Sequence, residues 1–171
     1  MGHAILQAKH IITDDFFGII LADDLILSEP GCLKQLLEIH EKTQSSVLGV
    51  FSASENQVSN YGVISSKNID GIEKVDGIVE KPKPADAPSN LAVFGRYILS
   101  KDIFLNIEQT KPGLNNEIQL TDAIQDLISN QGVFALEFEG RRFDCGSKEG
   151  YISAIIDRAL SIDKYKSIIE K

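Results

Sequence analysis

Cysteine is scarce in this chain. Cys32 and Cys145 are the only two, too few for a disulfide framework or a cysteine-rich zinc site. Basic residues are outnumbered, with 17 Lys and Arg against 25 Asp and Glu and a formal net charge of -8. That balance argues against a nucleic-acid backbone or an anionic membrane as the main partner, outside any local basic patch. No apolar run approaches the ~20 residues of a membrane span, and no charged-then-apolar leader opens the sequence, so a cytoplasmic location is expected. Internal repeats, low-complexity tracts and linkers are also missing. What is present is 171 residues, 43% hydrophobic and 25% charged, the composition of one ordinary globular domain with a real core.

Apolar spacing predicts a helix over residues 2–12, through Ala4, Ile5, Ala8, Ile11 and Ile12. Asp14 and Asp15 then turn the chain into "FFGIIL" (16–21), which reads as a central parallel strand covered on both faces. Pro30 and Gly31 introduce a helix carrying Cys32, Leu33, Leu36, Leu37 and Ile39 inward, and "SSVLGVF" (45–51) is a further strand. "YGVISS" (61–66) and "DGIVEK" (76–81) are short strands of a meander, "PKPADAPS" is a Pro-rich loop, and "NLAVFGRYIL" (90–99) returns to strand. Ser100 and Asp102 begin a short helix. After the loop "TKPGLNN" comes a helix with Ile118, Leu120, Ala123, Ile124, Leu127 and Ile128 facing inward. "VFALEFEG" (133–140) alternates like a strand, "RRFDCGS" is a turn, and helices from about Lys148 close the chain. The order is that of an α/β layer fold with an inserted β-rich patch around 57–99.

Three clusters carry chemistry. In open α/β sheets ligands bind beyond the carboxyl ends of strands, and Asp23 with Asp24 follows "FFGIIL" there. Hard oxygen ligands at such a place suit magnesium, which implies phosphates; the plainer reading is that one or both acids cap the next segment or pair with a surface base. Asp144, in "RRFDCGS", either forms a salt bridge to Arg141 or Arg142 or converges with Asp23 on one cation. Glu80 and Lys81, in "VEKPKP", either sit as a solvated charged pair or hold a sugar phosphate, the carboxylate accepting hydrogen bonds from sugar hydroxyls and the ammonium holding the phosphate. Asn115 or Asn116 can cap the following helix, with Glu117 at its positive end. Cys145 has no evident base and is not read as a nucleophile.

Taken in order, "GHAIL" (2–6), "ILADD" (20–24), "YGVI" (61–64), "VEKP" (79–82), "APSNLAVFGRYIL" (87–99), "NEIQLTDAI" (116–124) and "FDCGSKEGY" (143–151) resemble the bacterial UTP–glucose-1-phosphate uridylyltransferases, also called UDP-glucose pyrophosphorylases. The last three stretches are the specific ones and separate this family from its thymidylyltransferase cousins. The resemblance implies a three-layer α/β/α, Rossmann-like nucleotidyltransferase fold around a mixed, mostly parallel sheet. It also implies formation of UDP-glucose and pyrophosphate from UTP and glucose 1-phosphate. Carried over by motif, Asp23 and Asp144 hold Mg2+ between the phosphates, Glu80 binds glucose hydroxyls and Lys81 the sugar's phosphate. Gly62 lets the backbone approach the sugar, and Val93 and Gly95 line the same pocket. Asp24 is expected behind the metal ligands or as a cap.

The family pattern opens with a loop of the form G-x-G-T-R-x-x-P-x-T-K, whereas this chain has no G-x-G and enters the pattern partway through "G-L-G-H-A". An N-terminally truncated, partial domain is therefore expected, with the sugar-phosphate and metal side of the site kept and the UTP side largely absent. Low activity of the isolated chain follows, as does an unpaired edge beside "FFGIIL" covered by self-association or by a rearranged N-terminal segment. The other readings are a sister sugar-1-phosphate nucleotidyltransferase and a non-catalytic module that binds a sugar phosphate or nucleotide sugar or partners an intact subunit.

Overall fold

The computed structural model describes residues 1–113 and 116–169. Its elements are α1 (Gly2–Leu6), β1 (Phe16–Ile20), β2 (Asp24–Leu27), α2 (Cys32–Thr43), β3 (Ser46–Ser52), β4 (Gly62–Ile69), β5 (Ile72–Glu80), β6 (Leu91–Ser100), α3 (Ile103–Gln109), α4 (Leu120–Asn130), β7 (Val133–Glu137), β8 (Arg141–Asp144), α5 (Lys148–Leu160) and α6 (Asp163–Ile169). Six strands form one sheet in the order β1-β6-β3-β7-β5-β4, and β2 pairs with β8 in a separate two-stranded sheet.

Two apolar clusters make the layers. On one face Leu48, Val50, Tyr97 and Leu99 of the sheet meet Ile103, Phe104 and Ile107 of α3 and Leu120, Ile124 and Leu127 of α4. On the other, Val47, Phe94 and Ile98 meet Cys32 and Leu36 of α2. Continuous apolarity in β3 and β6 follows from this two-sided cover, because alternate residues of one strand feed opposite clusters. The three-layer α/β/α arrangement is thus observed, and the sheet is mixed. Four of its strands (β1, β3, β7, β4) run one way, but β6 and β5 run against them, so that β3–β7 is the one parallel ladder among the described residues.

Several local expectations need correction. "FFGIIL" is partly covered on both faces, Phe16 in the α2 cluster and Phe17 and Ile19 in the α3 cluster, with Ile20 59% exposed. It is nevertheless an edge strand, antiparallel to β6, because apolarity reports what covers a strand's faces and not its neighbours in the ladder. The first helix ends at Leu6; beyond it, amides bond three residues back in tight turns, as Lys9 N does to the Leu6 carbonyl. The "RRFD" of the expected turn is strand β8. Helix α4 starts at Leu120 with Gln119 as its N-cap. Asn116 sits before it in a left-handed turn (φ 59°) and is no cap, and Asn115 lies outside the described residues. Among the described residues no helix is long and apolar enough to cross a membrane.

Candidate functional site

The two-stranded β2–β8 sheet decides where the acids go. Its register sets Asp24 opposite Asp144, and the Cys145 amide donates to the Asp23 carbonyl at 2.7 Å. Asp23 and Asp144, 121 positions apart in the sequence, are therefore neighbours. Asp23 Oδ2 and Asp144 Oδ1 both lie within 3.2 Å of the point a Cβ on Gly146 would occupy, so the two oxygens are at most about twice that distance apart. Asp23 is exposed and Asp144 half-buried, which leaves the Asp23 side chain free to turn toward its partner. No group of three or more His, Cys, Asp or Glu side chains placed to hold a metal occurs among the described residues.

Asp24 has a different task. It is 7% exposed, its Oδ2 accepts from the Gly95 amide at 2.8 Å, and its Oδ1 accepts from Arg142 Nε at 2.5 Å. A Cβ on Gly95 would fall 2.7 Å from that Oδ2 and 2.5 Å from Leu21 Cβ, so glycine is what lets the buried carboxylate reach the backbone of β6. Burial works against the charge on Arg142, but hydrogen bonding to Tyr61 and the charge of Asp24 outweigh it and hold the guanidinium above its ordinary pKa. The guanidinium also lies 4.6 Å from the centre of the Phe51 ring and 5.0 Å from that of Tyr61, contacts that favour a cation in a dry setting. Neither arginine pairs with Asp144. Arg141 bonds Asp157 instead, and Asp144 Oδ2 accepts from the Tyr61 hydroxyl at 3.0 Å.

These groups line one cleft of about 260 Å³, together with Gly62, Glu80, Lys81, Val93, Gly95 and Thr121. Glu80 and Lys81 share it despite adjacent positions, because Lys81 leaves the strand in the left-handed region (φ 45°) while its amide bonds the Tyr61 carbonyl at 3.0 Å. A continuing strand would send the two side chains to opposite faces. Lys81 Nζ lies 3.7 Å from Glu80 Oε1, and Glu80 Oε2 accepts from Thr121 Oγ1 at 3.0 Å. At Gly62 the need for glycine has a cause inside the protein: a Cβ would stand 2.6 Å from Thr121 Cγ2 and 3.0 Å from Val93 Cγ2.

The structure thus gathers Asp23, Asp144, Glu80, Lys81, Gly62, Val93 and Gly95 around one space. Sequence reasoning gave no part to Tyr61 or Thr121 and treated Arg142 only as a partner for Asp144. The alternation of Arg142 with Asp144, two apart and so on one strand face, was the available signal.

The family model for nucleotidyl transferases matches residues 1–159. A UTP–glucose-1-phosphate uridylyltransferase of Pseudomonas aeruginosa is 47% identical over 157 residues, covering 90% of this chain and 56% of that protein. One from Streptococcus pyogenes is 42% identical over 172 residues, covering 97% and 58%. The chain therefore spans little more than half the length of these curated relatives. Among solved structures, a UDP-glucose pyrophosphorylase complexed with UDP-glucose superposes with a TM-score of 0.91 at 44% identity, covering 95% of this chain and 63% of that one. A UTP-bound enzyme of the same kind from Acinetobacter baumannii gives 0.84 at 34% identity, covering 99% and 61%.

Proposed function

The chain belongs to the nucleotidyl transferase family, and from that membership we propose that its cleft serves the joining of glucose 1-phosphate to UTP, with UDP-glucose and pyrophosphate as products. The observation that carries this reading is the meeting of Asp23, Asp144, Glu80 and Lys81, remote in sequence, on one cleft. A phosphate oxygen of glucose 1-phosphate attacks the α-phosphorus of UTP in line. One P–O bond forms, the bond from that phosphorus to the bridging oxygen breaks, and the oxygen leaves as part of pyrophosphate. No covalent enzyme intermediate is needed, so the protein's task is to position and neutralise charge.

Glu80, with Oε2 held by Thr121, presents Oε1 to accept hydrogen bonds from neighbouring sugar hydroxyls. Lys81, exposed at the cleft's edge, holds the sugar's phosphate as a point charge. Val93, Gly62 and Gly95 form the walls. Two nearby carboxylates fit Mg2+, which takes few protein oxygens and completes its shell with water and substrate phosphates; Asp23 and Asp144 would hold it. When bound, the ion supplies positive charge against the phosphate oxygens. A cytoplasmic location belongs to the same reading. So does self-association through the side of β1 that pairs with no other strand among the described residues, which chromatography and scattering would reveal as a dimer.

Calorimetric titration with UDP-glucose and Mg2+ tests the proposal. Glu80→Gln is expected to weaken binding by about 10-fold or more, since a hydrogen bond to a charged group contributes roughly 1.5–3 kcal/mol. Asp144→Asn is expected to remove the dependence on Mg2+. Equal affinity of wild type and Glu80→Gln would refute the assignment.

A further inference from the structure

Asp24 and Asp144 face each other across the β2–β8 ladder, and like charges in directly opposed positions destabilise a sheet. What lies between them is a chain of hydrogen bonds whose direction is forced. Arg142 has donors and no acceptor, and a carboxylate has acceptors and no donor. Arg142 Nε donates to Asp24 Oδ1 at 2.5 Å and its Nη1 donates to the Tyr61 hydroxyl oxygen at 3.3 Å. The single Tyr61 proton must then go outward, to Asp144 Oδ2 at 3.0 Å. The other oxygen, Oδ1, accepts the Gly146 amide at 3.1 Å and is the one beside Asp23 Oδ2.

We propose that Tyr61 and Arg142 are positioning residues that fix which oxygen of Asp144 is presented toward Asp23, and so pre-form the divalent-cation site. The inference rests on the reading of Asp23 and Asp144 as cation ligands. Arg142 is itself immobilised: its side chain is 12% exposed, caged by Phe51, Tyr61 and Phe94, and anchored on an Asp24 that the Gly95 amide holds in turn. The rigid end of the network is buried and its working end is the Tyr61 hydroxyl. Groups of this kind behind a metal ligand are worth about 10–100-fold in metal affinity.

Tyr61→Phe removes the hydroxyl and leaves the ring beneath the guanidinium, which makes it the discriminating variant. The test follows Mn2+ binding to the full chain by paramagnetic broadening of the Cys145 and Gly146 amide signals, alongside thermal melting. The expected result is about 10-fold weaker Mn2+ binding in Tyr61→Phe, with a melting temperature close to wild type. Ile107→Val trims the fully buried core under α3 and leaves the hydroxyl and the cage in place, and should melt lower while binding Mn2+ normally. Unchanged affinity in Tyr61→Phe would overturn the inference, as would an equal loss in Ile107→Val. Asp144→Asn separates this from the underlying reading. If it binds Mn2+ like wild type, the carboxylates are not the ligands and both ideas fall; if it loses the ion while Tyr61→Phe does not, only the positioning role falls.

Discussion

Replacing Arg142 by methionine would keep most of the side chain's volume and remove its charge and donors. Asp24, whose side chain is 9% exposed, would then retain one partner, the Gly95 amide at 2.8 Å, and would face Asp144 across the ladder with no positive charge between them. Removing one member of a buried ion pair while leaving the other costs about 3–5 kcal/mol. For a chain of this length each kcal/mol moves the melting temperature by roughly 2–4 °C, so a fall on the order of 10 °C is expected. Urea unfolding at neutral pH, followed by circular dichroism, gives the free energy directly. The double variant Asp24→Asn/Arg142→Met keeps an acceptor for Gly95 and deletes the stranded charge, and should recover more than half of the loss. A single-variant effect below about 1 kcal/mol, the range of exposed pairs, would refute the reasoning. So would a double variant no more stable than the sum of its parts predicts.

Thr121→Val keeps the shape of the residue and deletes the hydroxyl that holds Glu80 Oε2. UDP-glucose binding should weaken by about 1 kcal/mol, on the order of 5-fold in calorimetry, with little change in melting. Gly62→Ala would push a methyl group to 2.6 Å from Thr121 Cγ2; overpacking of this kind costs about 1–3 kcal/mol, and Gly62→Ala should lose both stability and UDP-glucose affinity. In the β4–β5 hairpin, hydrogen bonds from Asn68 and then Ser66 hold the Glu73 carboxyl below its usual pKa. A depressed folded-state pKa means stabilisation that is present above the unfolded carboxylate's pKa and lost as pH falls through the folded one. Asn68→Ala should therefore lower the urea midpoint more at neutral pH than in strong acid, where only the loss of its bond from the Gly71 amide remains.

How much of this was legible in the sequence depended on how local the cause was. Strands β3 and β6 and the inward face of α4 follow from spacing alone, and so does that of α2 except at Leu37, which is 44% exposed because it turns past the edge of the stripe formed by Cys32, Leu33, Leu36 and Ile39. The apolarity of β1 misled, suggesting a central parallel strand, because Phe16 and Phe17 record the helices above and below and carry no information on ladder partners; its edge position was expected only from the family pattern. Strand β8 was missed because its four residues, with two arginines and an aspartate, lack an apolar alternation. Its pairing with β2 is a long-range event that no local window contains. That omission kept Arg142 and Tyr61 out of the expected cleft, whereas Asp23, Asp144, Glu80 and Lys81, named from motif, do line it. Nothing in "VEKP" announced that Lys81 would turn out of the strand to share a cleft with its neighbour.

The β2–β8 ribbon has four residues on each side and stands apart from the six-stranded sheet. Two-stranded pieces are only marginally stable by themselves, and such pieces open locally long before the rest of a molecule unfolds. The carboxylates at 23 and 144 meet on this ribbon, which the bond from the Gly95 amide to Asp24 ties to β6. Occupancy by a cation or nucleotide sugar would lock that ribbon shut, slowing amide hydrogen exchange at Cys145 and across β8 while leaving β3 and β6 indifferent.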